Sequence, residues 1–192
     1  MSRIYSCQFK TRVGILCLSA TRNGLYALDW SDTPLTLTLS PQGRGARMNH
    51  FSSPPEGERV GVRGDIPKPI DSFLKKAIRE IQRYLQGRKF NFNRFPIDWS
   101  GVPPFEKKVL QILRKLPRGR TATYQSLAAK AGRPKAARYV GRIMNRNRLP
   151  LVIPCHRIVA KAGGLGGFSR GVRLKRRLLK LERAAVDKKP GS

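Results

Sequence analysis

The chain has 192 residues, 40 of them Lys or Arg against 11 Asp or Glu, and a formal net charge of +29. That length suits one domain or two small ones sharing a core, and 40% apolar residues with aromatics spread along the chain exclude wholesale disorder. Three cysteines (Cys7, Cys17, Cys155) and two histidines (His50, His156), without a C-x-x-C pair, exclude a disulfide framework and serve zinc poorly, and no run is long enough to span a membrane.

A charge excess of this size repels itself at low salt unless a polyanion neutralises it, and DNA and RNA are the commonest polyanions. A body kept soluble by its charge is the alternative. "RVGILCLSATRNGLYALDW" (12–30) predicts two apolar strands joined by a turn at Arg22-Asn23-Gly24, where Asn-Gly supplies the positive φ angles of a tight hairpin. Within it "VGILCLSA" imitates the apolar core of a signal peptide, but it has the minimum length and runs on into the hairpin, so the reading is a cytoplasmic protein. Residues 31–65 then lose all periodicity, accumulate Gly and Pro, and balance Arg44, Arg47, Arg59 and Arg63 against Asp32, Glu56, Glu58 and Asp65. They are expected to form a disordered insertion, with a hairpin from "LTLTL" as the structured alternative.

From Ile70, the residues Phe73, Leu74, Ala77, Ile78, Ile81, Tyr84 and Leu85 share one helical face, and Gly87 provides the stop. "KFNFNRFPIDWSG" follows as an extended link ending a first domain at residue 98. A second helix begins at Pro103-Pro104, with Phe105, Val109, Ile112 and Leu113 on one face, and ends in "LPRG". "TYQSLAAKAG" and "RPKAARYVGRIMNRN" predict two short helices joined by a glycine-containing turn, the second rich in arginine. They have the form of a helix-turn-helix, and the overall charge makes the second helix a candidate DNA reader. "RLKRRLLKLERAA" carries Leu174, Leu178 and Leu181 on one stripe and should dock as a last helix, before a disordered tail at 186–192.

The run "PLVIPCHRIVAKAGG" sets Cys155 between Pro154 and His156. A cysteine in an apolar strand is by default a small inert core residue, but three features favour a nucleophile. Pro154 ends the strand and turns the chain so that the next side chain is presented instead of buried. His156 and Arg157 follow at once, and the glycine-rich "AGGLGGFSRG" offers a backbone that a flat ligand can approach. A thiol attacks as thiolate, and the neighbouring imidazole can take its proton directly or through water. Acids are scarce in this half, and Glu182, on the last predicted helix, faces either solvent or this site, where it could orient the imidazole.

"IPCHRIV", the glycine loop and helix after it, "AARYVGRIMNRN" before it and "FEKKVLQILRKLPRGRTATYQSLAAKAG" upstream resemble the O6-alkylguanine-DNA alkyltransferases over residues 99–182. Over 1–98 the likeness is confined to the hairpin and the helix ending "YLQGRKF". The resemblance implies an α+β fold: a small N-terminal antiparallel sheet with a helix, ribonuclease-H-like, over 1–98, and a mostly helical C-terminal domain over 99–185 with a winged helix-turn-helix-like DNA-binding unit. It implies a monomer acting on double-stranded DNA containing O6-alkylguanine, without cofactor, metal or membrane. The damaged nucleotide would be flipped out and its alkyl group moved irreversibly to Cys155.

Residue by residue, the resemblance implies Cys155 as nucleophile, His156 as water-mediated base, Glu182 as its orienting partner and Tyr124 as proton donor to guanine N3. Arg138 would fill the vacated space in the base stack, with Ala137, Tyr139, Gly141 and Arg157 also at the DNA. Asn147, Pro150, Ile158 and Ser169 would shape the guanine pocket, and Met144 either lines it or belongs to the core. Tyr139 and Arg142 stand where the family has small residues, on the helix expected to enter the minor groove, where small side chains allow close approach. Relatives of the same fold that bind lesions without transfer lack the cysteine, and the intact Pro-Cys-His-Arg sets this chain apart from them. A basic helix-turn-helix regulator explains the charge but leaves that turn and the glycine loop unused.

Overall fold

The computed structural model describes residues 3–31, 66–88, 90–161 and 164–182. The expected insertion from residue 32 onward and the expected tail at 186–192 lie outside the described residues. The chain opens with an antiparallel meander of β1 (Tyr5–Thr11), β2 (Gly14–Thr21) and β3 (Gly24–Ser31), paired in that order. The β2–β3 hairpin is the one read from sequence, whereas β1 had no prediction. At the turn, Gly24 takes a positive φ of +133° and Asn23 does not.

Leu16, Leu18 and Ala20 of β2 alternate onto the buried face, and α1 (Lys68–Leu85) covers that face. Its buried stripe is Ile70, Leu74, Ala77, Ile81, Tyr84 and Leu85, at helical spacing, with Pro at the first turn and Asp71 facing the positive end of the helix dipole. Fully burying a side chain such as Leu74 or Ile81 stabilises by roughly 1.5–3 kcal/mol. Gly87, at φ +92°, follows the helix end as predicted.

The link after α1 is less extended than expected. It forms a 3-10 turn at Phe92–Arg94 and then pairs Ile97 with Leu25 along the edge of β3. Leu25 N donates to Pro96 O at 2.9 Å and Asp98 N to Leu25 O at 2.9 Å. The buried Asp98 carboxylate accepts from Thr21 Oγ1 at 2.5 Å and from Ser100 N at 2.8 Å.

The second half carries α2 (Pro104–Arg114), α3 (Tyr124–Lys130), α4 (Ala137–Asn145) and α5, which runs from Val172 through Glu182, the last described residue. Thr123 and Ser126 form a reciprocal capping box at the start of α3, Gly132 at φ +87° ends it, and a 3-10 turn at Pro134–Ala136 leads into α4. Two two-residue strands, β4 (Ala122–Thr123) and β5 (Ile158–Val159), pair in parallel. They set the start of α3 beside the segment that follows Cys155. The core is continuous between the two halves, and Leu28 N of β3 donates to Arg148 O at 2.7 Å.

Gly24 tests the edge pairing. A Cβ there would stand 2.5 Å from Pro96 O, on a backbone that L-residues avoid. Gly24→Ala is expected to lower the unfolding free energy by about 2 kcal/mol, in urea titration. Gly101→Ala, at φ +70° with nothing within 4 Å, should cost distinctly less.

Candidate active site

The segment leading into Cys155 was expected to be an apolar strand, but it is a buried turn. Ile153 N closes onto Leu149 O at 2.8 Å, Asn147 Nδ2 donates to Ile153 O at 2.8 Å, and Asn147 Oδ1 accepts from Leu149 N at 3.1 Å. Within it Leu151 holds φ +73°, costly for a residue with a branched side chain. Asn147 thus satisfies the polar backbone of a turn that no ladder could satisfy. Cys155 then opens a 3-10 turn, Cys155–Arg157. Pro154 does not present the thiol to solvent as expected, since Cys155 is 6% exposed. Burial pushes the thiol above its ordinary value, and the Asn147 side chain, nearby backbone N–H groups and Lys175 pull it back. The resting group is therefore a thiol that needs a base.

His156, fully buried, sets Nε2 at 3.0 Å from Glu182 Oε1 and 3.3 Å from Tyr84 Oη. Glu182 is on the inner face of α5. It also accepts from Tyr84 Oη, from Arg157 Nε at 2.9 Å and Nη2 at 2.8 Å, and from Gly119 N at 3.4 Å. Burial alone would raise this carboxyl, but the hydrogen bonds and charges of His156 and Arg157 outweigh it and hold Glu182 well below the usual carboxylate range. Burial pushes His156 down, against the pull of Glu182, so the imidazole is neutral. A neutral ring beside a carboxylate carries its proton on the nitrogen facing it. That leaves Nδ1 as an acceptor, and Nδ1 is buried with no hydrogen-bond partner among the described residues.

On the other side of Cys155, the fully buried Lys175 donates from Nζ to Ile158 O at 2.5 Å and Gly167 O at 3.1 Å. It thereby pins the glycine-rich loop against β5, and burial pushes it down to about 8. Tyr124, delivered by the β4–β5 pair, leans on the same loop, with Oη 3.5 Å from Gly167 O. A Cβ on Gly166 would stand 3.6 Å from that hydroxyl. Burial and the neighbouring Cys155 raise Tyr124 above its ordinary value, which keeps its proton available. Ser169 is exposed on this loop, Pro150 and Ile158 are buried, and Met144 is packed in the core.

In α4, Val140, Ile143 and Met144 form the buried stripe. Arg138 and Arg142, four residues apart, project together from the opposite, exposed face. Gly141 turns toward the Tyr124 ring, 4.0 Å from where its Cβ would be, and Ala137 is half-buried. Tyr139 lies on the other flank, turned onto α2, where its hydroxyl donates to Glu106 Oε1 at 2.8 Å.

Arg157 needs correction. Expected at the DNA, it is 7% exposed and spends its guanidinium on Glu182 and on Leu116 O. The buried stripe of α5 is Lys175, Leu178, Leu179 and Glu182, not Leu174, Leu178 and Leu181. Two site residues escaped the sequence reading. Tyr84 sits in an apolar stripe that marks it as core, with its partner 98 residues away. Lys175 did leave a signal, because it recurs seven residues before Glu182 on one face. Among the described residues no group of three His, Cys, Asp or Glu stands together as a metal site, and no helix is long and apolar enough to cross a membrane.

The fold and the site define an α+β protein with a helix-turn-helix half and a buried Cys-His-Glu array. Residues 104–184 match the family model described as 6-O-methylguanine DNA methyltransferase, DNA binding domain. The chain is 37% identical over 158 residues to the methylated-DNA–protein-cysteine methyltransferase of Methanothermobacter thermautotrophicus, covering 82% of this chain and 79% of the relative. It is 39% identical over 134 residues to the enzyme of the same name from Methanopyrus kandleri, covering 68% and 98%. The fold is shared with a Mycobacterium tuberculosis OGT crystallised with DNA, at TM-score 0.69 and 24% identity over 96% of each chain. The chain belongs to the methylated-DNA–protein-cysteine methyltransferase family.

Lys175 gives a pH signature. A lysine whose value falls from 10.5 to about 8 on folding contributes stability that is fully present above 10.5 and lost as the pH falls through 8. Wild type minus Lys175→Met should therefore show unfolding free energy rising between pH 8 and 10.5, by at most about 1.4 kcal/mol per pH unit. Denaturant titration across that window checks the sign.

Proposed function

We propose that this protein repairs DNA by taking a methyl or small alkyl group from guanine O6, in double-stranded DNA, onto Cys155 Sγ in a single turnover. The observation that carries the reading is a buried thiol beside an imidazole whose Nε2 is held by Glu182 while Nδ1 is left without a partner. In the proposed reaction His156 Nδ1 takes the thiol proton through a water. The thiolate attacks the alkyl carbon in line, the carbon–O6 bond breaks, and its electron pair stays on the guanine. Tyr124 donates a proton to ring nitrogen N3, stabilising the leaving base as its charge develops. The thiol proton rests on His156 and the purine takes its proton from Tyr124; return of the His156 proton to the Tyr124 phenolate through solvent restores both groups, so no other reactant is consumed. The thioether does not turn over, which makes each molecule act once.

The alkyl carbon is out of reach of a thiolate while the base is stacked, so the nucleotide must rotate out of the duplex at a cost of a few kcal/mol. Arg138 is the proposed occupant of the vacated space, since a planar guanidinium stacks on bases while its charge faces phosphates. Its exposure at the centre of the outer face of α4 supports that role. Asn147, Pro150, Ile158 and Ser169 are the proposed pocket, with Lys175 fixing the loop that closes it. Every group in this scheme is on one chain, so the proposed enzyme is a monomer.

Two measurements test the scheme. Incubation with a duplex containing O6-methylguanine should add the mass of one methyl group per molecule, on Cys155, with no gain in Cys155→Ala. A wild-type protein that binds the lesion and stays unmodified would overturn it. Arg138→Ala should slow repair in duplex at least tenfold while reaction with the free base changes far less, since unstacking is worth a few kcal/mol. Equal slowing on both substrates would remove the role given to Arg138.

A further inference from the structure

Tyr139 and Arg142 were expected to bear on how closely a duplex can approach α4, and the structure gives both side chains a second function. Tyr139 lies flat on Phe105 of α2, with ring centroids 5.9 Å apart and planes 18° from parallel. A guanidinium lies over each ring of this pair. Arg142 Cζ is 5.1 Å from the Tyr139 ring centroid and Arg133 Cζ 4.6 Å from that of Phe105. The Tyr139 hydroxyl is tied to Glu106, a buried carboxylate that also faces Arg146 at 3.7 Å. Neither Arg133 nor Arg142 makes an ion pair among the described residues.

We infer that the ladder Arg133, Phe105, Tyr139, Arg142 is a prebuilt grip on two phosphates of the DNA backbone beside α4, and that Tyr139 strengthens DNA binding instead of obstructing it. The inference rests on the DNA-repair reading for its partner and adds the residues that would seat the duplex. Three arguments carry it. A free arginine loses much rotamer freedom when it meets a phosphate, and one already parked on an aromatic face has lost part of it beforehand. A guanidinium stacked by its face keeps its edge N–H groups, the ones that match phosphate oxygens, turned outward.

The third argument is position. Gly141 faces Tyr124 on one flank of α4, Tyr139 faces α2 on the other, and Arg138 and Arg142 project between them. A duplex crossing α4 with its flipped base toward Tyr124 would lay backbone over the opposite flank, where the ladder stands. The acid nearest the ladder, Glu106, is already committed to Tyr139 and Arg146, so it leaves both ladder cations free. Tyr139, turned onto α2, thus leaves the groove-facing surface to Arg138, Arg142 and their small neighbours.

The experiment is binding of an unmodified duplex, followed by fluorescence anisotropy over a range of salt. Arg133→Ala and Arg142→Ala should each flatten the slope of log K against log salt by about 0.9, the value of one released phosphate contact. Tyr139→Leu removes no charge, yet it should weaken binding about threefold or more by releasing the Arg142 guanidinium from the ring that holds it. Tyr139→Phe, which keeps the stack, should stay near wild type. Tyr139→Leu binding as tightly as wild type or tighter, with an unchanged melting temperature, overturns the inference. Should Tyr139→Leu fail to fold, unchanged salt slopes in both arginine variants overturn it equally. Reaction of wild type with the free base O6-methylguanine, which needs no duplex, reports separately on the transferase reading.

Discussion

A buried carboxylate costs several kcal/mol to strip of water, and removing one partner from a buried pair costs about 3–5 kcal/mol. Glu182 meets that cost with five hydrogen bonds, from Tyr84 of α1, Gly119 of the loop after α2, and His156 and both donors of Arg157 in the Cys155–Arg157 turn. Glu182 itself is on α5, so one side chain joins four parts of the fold at one point. Arg118 reinforces the joint. It donates to Arg88 O, Gly87 O and Leu181 O, closing the end of α1 onto the end of α5, and its guanidinium covers the Tyr84 ring at 5.5 Å. The geometry of His156 therefore depends on residues of the N-terminal half.

Seven residues earlier on the same face of α5, Lys175 carries out the complementary task. It bonds to no acid, only to two carbonyls, one in β5 and one in the glycine loop. One helix thus sets a negative charge behind the imidazole and a positive one in front of the thiol, with Leu178 and Leu179 filling the space between. Two charges buried on one stripe would be a defect in a helix whose purpose was packing. Here each is hydrogen-bonded, and together they fix the two walls of the site.

The parts legible in the sequence were those set by local chemistry. The hairpin at Gly24, the apolar stripe of α1 with its stop at Gly87, and the capped α3 before Gly132 all follow from turn residues and periodicity. The Pro-Cys-His-Arg motif and its family likeness singled out Cys155, His156 and Glu182, and the structure brings His156 and Glu182 together behind the buried cysteine. β1 escaped because polar Ser6, Gln8 and Lys10 alternate with residues only half-buried, which reads as a weak strand until β2 pairs with it. The turn before Cys155 escaped for a different reason. Leu149 to Ile153 are all apolar, and only the Asn147 side chain, satisfying backbone groups that a strand would have paired, makes a turn the better solution.

Arg157 shows why burial has to precede any assignment of charge to function. In a chain of +29 an arginine two residues after Cys155 reads as a phosphate contact, yet its fork is closed on Glu182. That closure has a chemical consequence. Glu182 unopposed would favour protonated imidazole, and an imidazolium cannot accept the proton of Cys155. Arg157 and Lys175 both press the other way, and with burial they keep His156 below its ordinary value. The carboxylate can then orient the ring without charging it, so the proposed base is neutral at the pH where the thiol still holds its proton.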